Sequence, residues 1–323
     1  MRIAIFGFGN LGRGVVEAAK QNPDVRLVGI FSRRDPEKIG AKPVDIPIYP
    51  AALLERAKHD IDVLLLCGGS AADLPEQTPT LARDFNVVDS FDTHAKIPTH
   101  FRAVDAAARA GGHLALISAG WDPGLFSLAR LYAAAALPQG KSYTFWGRGV
   151  SEGHSDAVRR LPGVLDARAY TLPNEAALDA VRGGETPQLT AGQMHRRVCF
   201  VVAAPNADRG EIVRRIREMP AYFADYDTEV NFVTETEMAR DHAALPHGGS
   251  VIRSGRRGAH RHTVEFSLRL GSNPEFTAGV LVACARAVHR MRARGEVGCR
   301  TLLDVAPADL SPQSADELRR TLL

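Results

Sequence analysis

RIAIFGFGNLGRG, Arg2–Gly14, joins a short apolar run to a glycine-rich turn. Ile3 to Phe6 are all apolar, as in a strand covered on both faces of a parallel sheet. Gly7, Gly9 and Gly12 then form G-x-G-x-x-G. The first glycine permits a tight turn, the second lets the backbone approach a pyrophosphate, and the third lets the following helix lie close to the strand. That helix spans about Leu11 to Gln21, with Leu11, Val15, Val16 and Ala19 at helical spacing, and its unpaired N–H groups suit a phosphate. A second apolar strand, Val25 to Phe31, completes a β-α-β unit, and in that context the glycines predict a dinucleotide site.

The residues after the second strand select the dinucleotide. An acidic residue there holds the ribose hydroxyls of NAD, but the chain reads Ser32, Arg33, Arg34, with no carboxylate before Asp35. Two guanidiniums and a hydroxyl suit a 2′-phosphate, so NADP is the expected cofactor. The plainer alternative is a solvated basic loop.

At 323 residues, 45 % hydrophobic and 24 % charged, the chain has the composition of a globular protein with room for two packed units. A net charge of +3 with mixed signs points to neither nucleic acid nor an anionic membrane as partner. Arg253 to Arg261 reads as solvated loop. No apolar run approaches the ~20 residues that span a bilayer, and the chain opens on a strand rather than an apolar leader, so a cytoplasmic enzyme is expected. Cys67, Cys199, Cys284 and Cys299 lack metal-ligand spacing and read as reduced structural thiols. Neither Asp92, His94 and His100 nor His260 and His262 match a ligand pattern, and no metal site is predicted.

Beyond the Pro-punctuated stretch Lys42 to Pro50 come a helix at Ala51 to His59, a strand at Ile61 to Cys67 ending in Gly68, Gly69 and Ser70, and a helix at Leu74 to Phe85. A strand at Asn86 to Ser90 stops at Phe91 and Asp92. A helix at Ile97 to Ala110 and a strand at His113 to Ser118 lead into Ala119, Gly120, Trp121, Asp122, Pro123 and Gly124. Carboxyl ends of strands in an open parallel sheet border the ligand crevice, so Asp92 and Asp122 can face one cleft. Equally, Asp92 can close an Asx turn, and Asp122 before Pro123 can cap a helix at Gly124 to Leu137 with the proline in its first position.

Past Pro138 the pattern changes to strands of mixed polarity: Ser142 to Trp146, Ala167 to Leu172, Arg197 to Ala203, Glu229 to Thr234 and His262 to Leu270. Helices are expected at Glu175 to Arg182 and Arg209 to Met219. The alternation from Thr263 to Leu268 predicts an antiparallel sheet with one covered face. A long helix, about Glu275 to Arg294, follows. The fold class is therefore α/β: a Rossmann-like doubly wound parallel sheet plus an α+β domain with a mixed or antiparallel sheet. Residues 1–120, completed by 274–323, form the dinucleotide-binding domain, and 121–273 the substrate-binding and dimerisation domain. Within the latter Trp146, Gly153, His154, Thr171, Arg197 and His247 are polar or aromatic candidates, each with an ordinary structural explanation when taken singly.

Together these residues make a family visible. GFGNLGRG, VGIFSRR, LLLCGGS, DSFDTH, SAGWDPG, TFWGRGVSEGHSDAVRRLPGV, YTLP, PHGG, HTVEFSLRL and SNPEFTA, in this order from Arg2 to about Ala306, resemble the NADP-dependent meso-diaminopimelate dehydrogenases. The resemblance implies reversible oxidative deamination of meso-2,6-diaminopimelate at its D centre by a homodimer, giving L-2-amino-6-oxopimelate, ammonia and NADPH. It places substrate contacts on Asp92, Asp122, Trp146, Gly153, Thr171, Arg197, His247 and Asn273. Cofactor contacts fall on Phe8, Gly9, Asn10 and Leu11, on Ser32, Arg33 and Arg34, on Cys67, Gly68, Gly69 and Ser70, on Ser90, Phe91 and Asp92, and on Gly120, Trp121, Asp122 and Pro123. A substrate with two ammonium groups and two carboxylates suits that mixture of acceptors and donors. Asp122 or Asp92 is the expected proton acceptor, with His154 as a third candidate. Arg148 stands where relatives commonly carry proline. A broader D-amino-acid dehydrogenase is the rival enzyme, a sugar or hydroxy-acid oxidoreductase using Lys96 or His94 a more distant one, and a non-catalytic NADP sensor the rival from another class.

Overall fold

The computed structural model describes residues 1–40, 45–220 and 222–323, so the start of the Lys42 to Pro50 stretch lies outside the described residues. The chain divides into two compact units, Met1–Leu128 with Pro274–Leu323, and Ala129–Asn273. Strands are numbered along the chain.

The first unit is built on a seven-stranded sheet of β1 (Arg2–Phe6), β2 (Arg26–Ser32), β3 (Ile48–Pro50), β4 (Val63–Leu66), β5 (Val87–Asp89), β6 (Leu114–Leu116) and β14 (Gly298–Arg300). Their order across the sheet is β14-β6-β5-β4-β1-β2-β3, and every pairing is parallel. Side chains alternate along each strand, so one apolar run serves two cores. Ile3, Ile5, Leu65 and Leu116 pack with Val15 and Val16 of the helix Asn10–Lys20 and with Leu281 and Ala285 of the helix Asn273–Ala293. Ala4, Phe6, Leu64 and Leu66 pack on the other side with Leu74, Val104 and Ala108, from the helices Leu74–Leu81 and Ile97–Gly111. The long helix predicted near the end of the chain thus packs on the first sheet. It is fastened by Arg286, whose buried guanidinium donates to Asp24 at 2.6 Å, to Asn22 at 2.8 Å and to the Leu310 carbonyl at 2.8 Å. The segment Ala51–Asp60 is a 3-10 helix rather than an α-helix.

The second unit holds two sheets. One has the order β11-β10-β9-β8, from β8 (Gly149–Val150), β9 (Val164–Pro173), β10 (His195–Ala203) and β11 (Asp227–Phe232). Its β10–β11 pair is parallel, its other pairs antiparallel. The second sheet is antiparallel, β13-β12-β7, from β7 (Lys141–Trp146), β12 (His247–Arg257) and β13 (His260–Leu270). Helices at Glu152–Arg159 and Arg209–Arg217 cover the first sheet through Val158, Ile212 and Ile216, while Leu178 and Val181 of the helix Glu175–Arg182 meet Tyr143, Phe145 and Ile252 of the second.

Two expectations need correction here. Arg253 to Arg257 belong to β12, and His260 and Arg261 to its partner strand β13, so this is a hairpin rather than a long solvated loop. Arg253 is buried because its guanidinium finds three acceptors, the carbonyls of Leu137 at 2.6 Å and Pro138 at 2.8 Å and the Ser142 hydroxyl at 2.8 Å. Along β13 the predicted covered face is missing: from His260 to Ser267 every residue is exposed, including Val264 at 43 % and Phe266 at 39 %. The four cysteines are buried free thiols, and burial pushes Cys67, Cys199 and Cys284 up to about 12.

Candidate active site

In the first unit the predicted cofactor residues gather at the carboxyl ends of adjacent strands. Gly7 takes φ +99°, its amide donates to the Phe31 carbonyl at 2.8 Å, and the Gly7 carbonyl occupies the space a side chain at Gly12 would need. Gly9, the N-cap of the helix Asn10–Lys20, is different: a Cβ there would meet no protein atom within 4 Å. That helix start has neither a capping side chain nor an acid in its first turn, so its N–H groups face open space suited to an anion.

Past β2, the buried Ser32 hydroxyl accepts from the Arg34 amide at 3.1 Å, and the Arg34 guanidinium donates to the Phe8 carbonyl. Arg33 pairs with Asp73 at 2.6 Å, and the same carboxylate accepts from the Gly69 amide at 2.8 Å, tying the loop after β2 to the loop after β4. Asp73 had no motif to mark it. The cradle at Gly9 and the two arginines beside it fit NADP, whose diphosphate and 2′-phosphate they would hold.

The adjoining loops carry the predicted aspartates. The Asp92 amide donates to the Ser70 hydroxyl at 2.9 Å, joining the strand-end loops of β4 and β5. After β6, Trp121 is buried edge-on to Phe126, ring centres 5.3 Å apart, and bridges to Gly124. Gly124, at φ +131°, leaves no room for a side chain beside the Gly120 carbonyl. This turn delays the helix to Leu125–Ala136, so Pro123 precedes it instead of opening it.

In the second unit Thr171 of β9 and Arg197 of β10 are direct cross-strand partners, and the guanidinium donates to the threonine hydroxyl. Arg197 is 7 % exposed, lies 4.1 Å over the Tyr226 ring, and has a buried Nε with no hydrogen-bond partner among the described residues. Burial holds it below its ordinary arginine range, with Tyr226 acting in the opposite sense. A desolvated cation with a spare donor is a natural seat for a carboxylate.

Trp146 ends β7 opposite Gly249, and its amide donates to Nε2 of the buried His195, two residues before Arg197 on the same strand face. Gly149 has no space for a side chain because its backbone runs against His247, and Thr171 is also its strand partner. The Asn273 amide donates to the Leu245 carbonyl at 3.0 Å, next to His247. Trp146, Thr171, Arg197, His247 and Asn273 are thereby linked through neighbouring strands. Gly153 lies on the helix Glu152–Arg159, which is anchored to β9 by the Ser155 hydroxyl accepting from the Ala169 amide at 3.0 Å.

Next to Gly153, His154 contacts the Ser151 hydroxyl at 2.5 Å through Nδ1, and its Nε2 is buried without a hydrogen-bond partner among the described residues. Burial, reinforced by the charge of Arg197, pulls the imidazole down to about 4. Sequence reading missed His195 and Tyr226; position two before Arg197 is the one signal that marks His195, and nothing local marks Tyr226. His247 also lines a cleft of about 490 Å³ with Gly147, Pro173, Leu178, Ser250 and Leu270. Arg148 pairs with Glu175 at 3.0 Å on the same side. Among the described residues no helix is long and apolar enough to cross a membrane, and no three His, Cys, Asp or Glu side chains are grouped as metal ligands.

Comparison with known proteins agrees with the motif resemblance. Residues 120–272 match the family model described as the diaminopimelic acid dehydrogenase C-terminal domain. The chain is 53 % identical over 324 residues to the meso-diaminopimelate D-dehydrogenase of Lysinibacillus sphaericus, covering all of this chain and 99 % of the relative. The structure of the C. glutamicum enzyme in complex with DAP superposes with a TM-score of 0.94 at 48 % identity, over 100 % of this chain and 99 % of that one. An engineered D-amino acid dehydrogenase bound to NADP+ superposes at 0.89 with 46 % identity, over 100 % and 99 %.

Proposed function

Since the chain belongs to the meso-diaminopimelate dehydrogenase family, we propose how its own side chains carry out that family's reaction. The enzyme catalyses the NADP-dependent, reversible oxidative deamination of meso-2,6-diaminopimelate at its D centre. Substrate, NADP+ and water give L-2-amino-6-oxopimelate, ammonium, NADPH and a proton. NADP, when bound, supplies the hydride acceptor.

Arg33, Arg34 and Ser32 would hold its 2′-phosphate, and the amides after Gly9 would hold its diphosphate. Arg197, steadied by Thr171, receives one substrate carboxylate, while His247 and Asn273 donate to the remaining polar groups. Trp146 supplies an apolar wall that orients the carbon chain. Asp92 and Asp122 accept hydrogen bonds from ammonium groups, and one of them takes the proton that must leave the reacting nitrogen before it becomes an imine. His154, at about 4, is too weak a base for an ammonium ion and acts as a neutral hydrogen-bond partner.

The observation that carries this reading is the buried Arg197 guanidinium with its unmatched Nε, a full charge kept out of water where an anionic substrate end would satisfy it. The test is absorbance of NADPH on adding meso-, LL- or DD-diaminopimelate with NADP+, beside a panel of monocarboxylic D-amino acids. Rapid NADPH formation with the meso isomer, little with LL, and poor turnover of D-amino acids lacking the distal group are expected. Equal turnover of simple D-amino acids would replace this reading by the broader dehydrogenase.

Homodimer formation through the second unit belongs to the same reading. Its support is the exposed edge strand β13, on which Val264 and Phe266 share one face and remain 43 % and 39 % exposed. Light scattering of Phe266→Glu is expected to report a monomer where the native chain is a dimer. A cytoplasmic location fits the four reduced thiols and the use of NADP.

A further inference from the structure

One buried carboxylate in the first unit lies behind both predicted catalytic loops. Asp89, the last residue of β5, is 0 % exposed and accepts four hydrogen bonds, divided between its two oxygens. Oδ2 faces the helices, meeting the Thr78 hydroxyl at 2.7 Å and Nε2 of the buried His100 at 2.8 Å. Oδ1 faces the strand ends, accepting from the amides of Phe91 at 3.0 Å and Ser118 at 2.8 Å. The Asp89 carbonyl also accepts from the Ala119 amide at 2.8 Å.

Those amides are informative. Phe91 immediately precedes Asp92, and its ring stacks on His100 with centres 4.2 Å apart. Ser118 opens the loop leading to Trp121 and Asp122, and is the one non-glycine residue among those described with positive φ, +56°. That conformation is unfavourable for a residue with a side chain and persists only where neighbours impose it. The Ser118 hydroxyl is itself buried without a hydrogen-bond partner among the described residues, so the turn is held through its backbone, by the Ser118 amide on Asp89 Oδ1 and the Ala119 amide on the Asp89 carbonyl. A generic fold anchor would need no oxygen shared between two strand-end loops.

We infer that Asp89 is a positioning residue for the deamination, setting the loops of Asp92 and Asp122 through one shared oxygen while Thr78 and His100 hold that carboxylate from behind. The inference rests on the roles proposed above for Asp92 and Asp122. Its scale follows from the sensitivity of near-attack geometry, where a displacement of ~1 Å costs on the order of 100-fold in rate.

The two oxygens allow a test that separates positioning from stability. Asp89→Asn keeps an acceptor toward the loops and forfeits the one toward Thr78 and His100. Asp89→Ala and Asp89→Val forfeit the loop-side acceptor. Thr78→Val weakens only the rear contact. Thermal melts, NADP+ dissociation constants, and kcat and KM for meso-diaminopimelate are measured on each folded variant. Asp89→Ala and Asp89→Val are expected to lose at least ~10-fold in kcat, a larger change than any in NADP+ affinity, whose phosphate contacts lie on the loops after β1 and β2. Asp89→Asn and Thr78→Val are expected to retain most of the native kcat even where melting falls. Native kcat in folded Asp89→Ala or Asp89→Val, or equal losses of kcat in all four variants, would overturn the inference. Turnover by the native enzyme bears on the underlying reading; only the ratio of variant to native bears on Asp89.

Discussion

The amide of Trp146 donates to Nε2 of His195 at 2.9 Å, and the two rings stack with centres 5.3 Å apart. An imidazole that accepts at Nε2 carries its proton on Nδ1, which faces the Ala191 carbonyl at 3.3 Å. Burial lowers the pKa of His195 to about 4, so the ring stays neutral through the working range. A histidine with a depressed folded-state pKa binds fewer protons folded than unfolded; its stabilising effect is present above the unfolded value of ~6.5 and is lost as pH falls toward 4. His154 shifts in the same direction, to about 4. Melting temperature is therefore expected to drop between pH 7 and 4, with up to about 3 kcal/mol at stake per histidine. His195→Gln should flatten that slope, as calorimetry across the pH series would read.

Cofactor choice is expected to follow the loop after β2. Arg33→Ala with Arg34→Ala should raise KM for NADP+ by roughly 10- to 100-fold, the worth of a charge-assisted contact or two, and leave KM for NAD+ within about threefold. Initial rates with each nucleotide at saturating substrate decide it. Native enzyme using both nucleotides equally would contradict the assignment.

Replacing the buried guanidinium by an ammonium keeps the charge and removes the fork. Arg197→Lys is expected to raise KM for meso-diaminopimelate by ~10-fold or more, since one ammonium cannot both reach Thr171 and grip a carboxylate in two places. NADP+ affinity, read by fluorescence titration, should not change. A native KM would remove Arg197 from substrate binding.

Asp122→Asn tests the proton acceptor. If Asp122 takes the ammonium proton, kcat/KM should fall by ~100-fold or more, the usual scale of general-base contributions. Asp92→Asn, assayed beside it, identifies the base as whichever variant suffers the larger loss in kcat.

Much of the first unit was legible because a strand buried on both faces must be apolar throughout, as Ile3 to Phe6 and Val63 to Leu66 are. The short edge strands β3 and β14 escaped notice, since three residues ending in Pro50 or flanked by charges carry no pattern. β12 was hidden for another reason: Gly248, Gly249 and three arginines look like loop, and only the acceptors around Arg253 reveal why one of those arginines is buried. At the candidate site, motif resemblance supplied Arg197, Thr171 and Trp146. His195, Tyr226, Asp73 and Asp89 act through partners chosen by cross-strand register or by loops distant in sequence, and no local pattern announces them.

Arg286 and the helix around it complete a unit that begins at the other end of the chain. During synthesis the contiguous stretch 129–273 leaves the ribosome whole, while the sheet begun at Arg2 still waits for β14 and for the apolar side of its last long helix. The half that carries the glycine turn is thus the first to be translated and the last able to close, and a nascent chain must keep Ile3, Ile5 and Leu65 shielded for most of its birth.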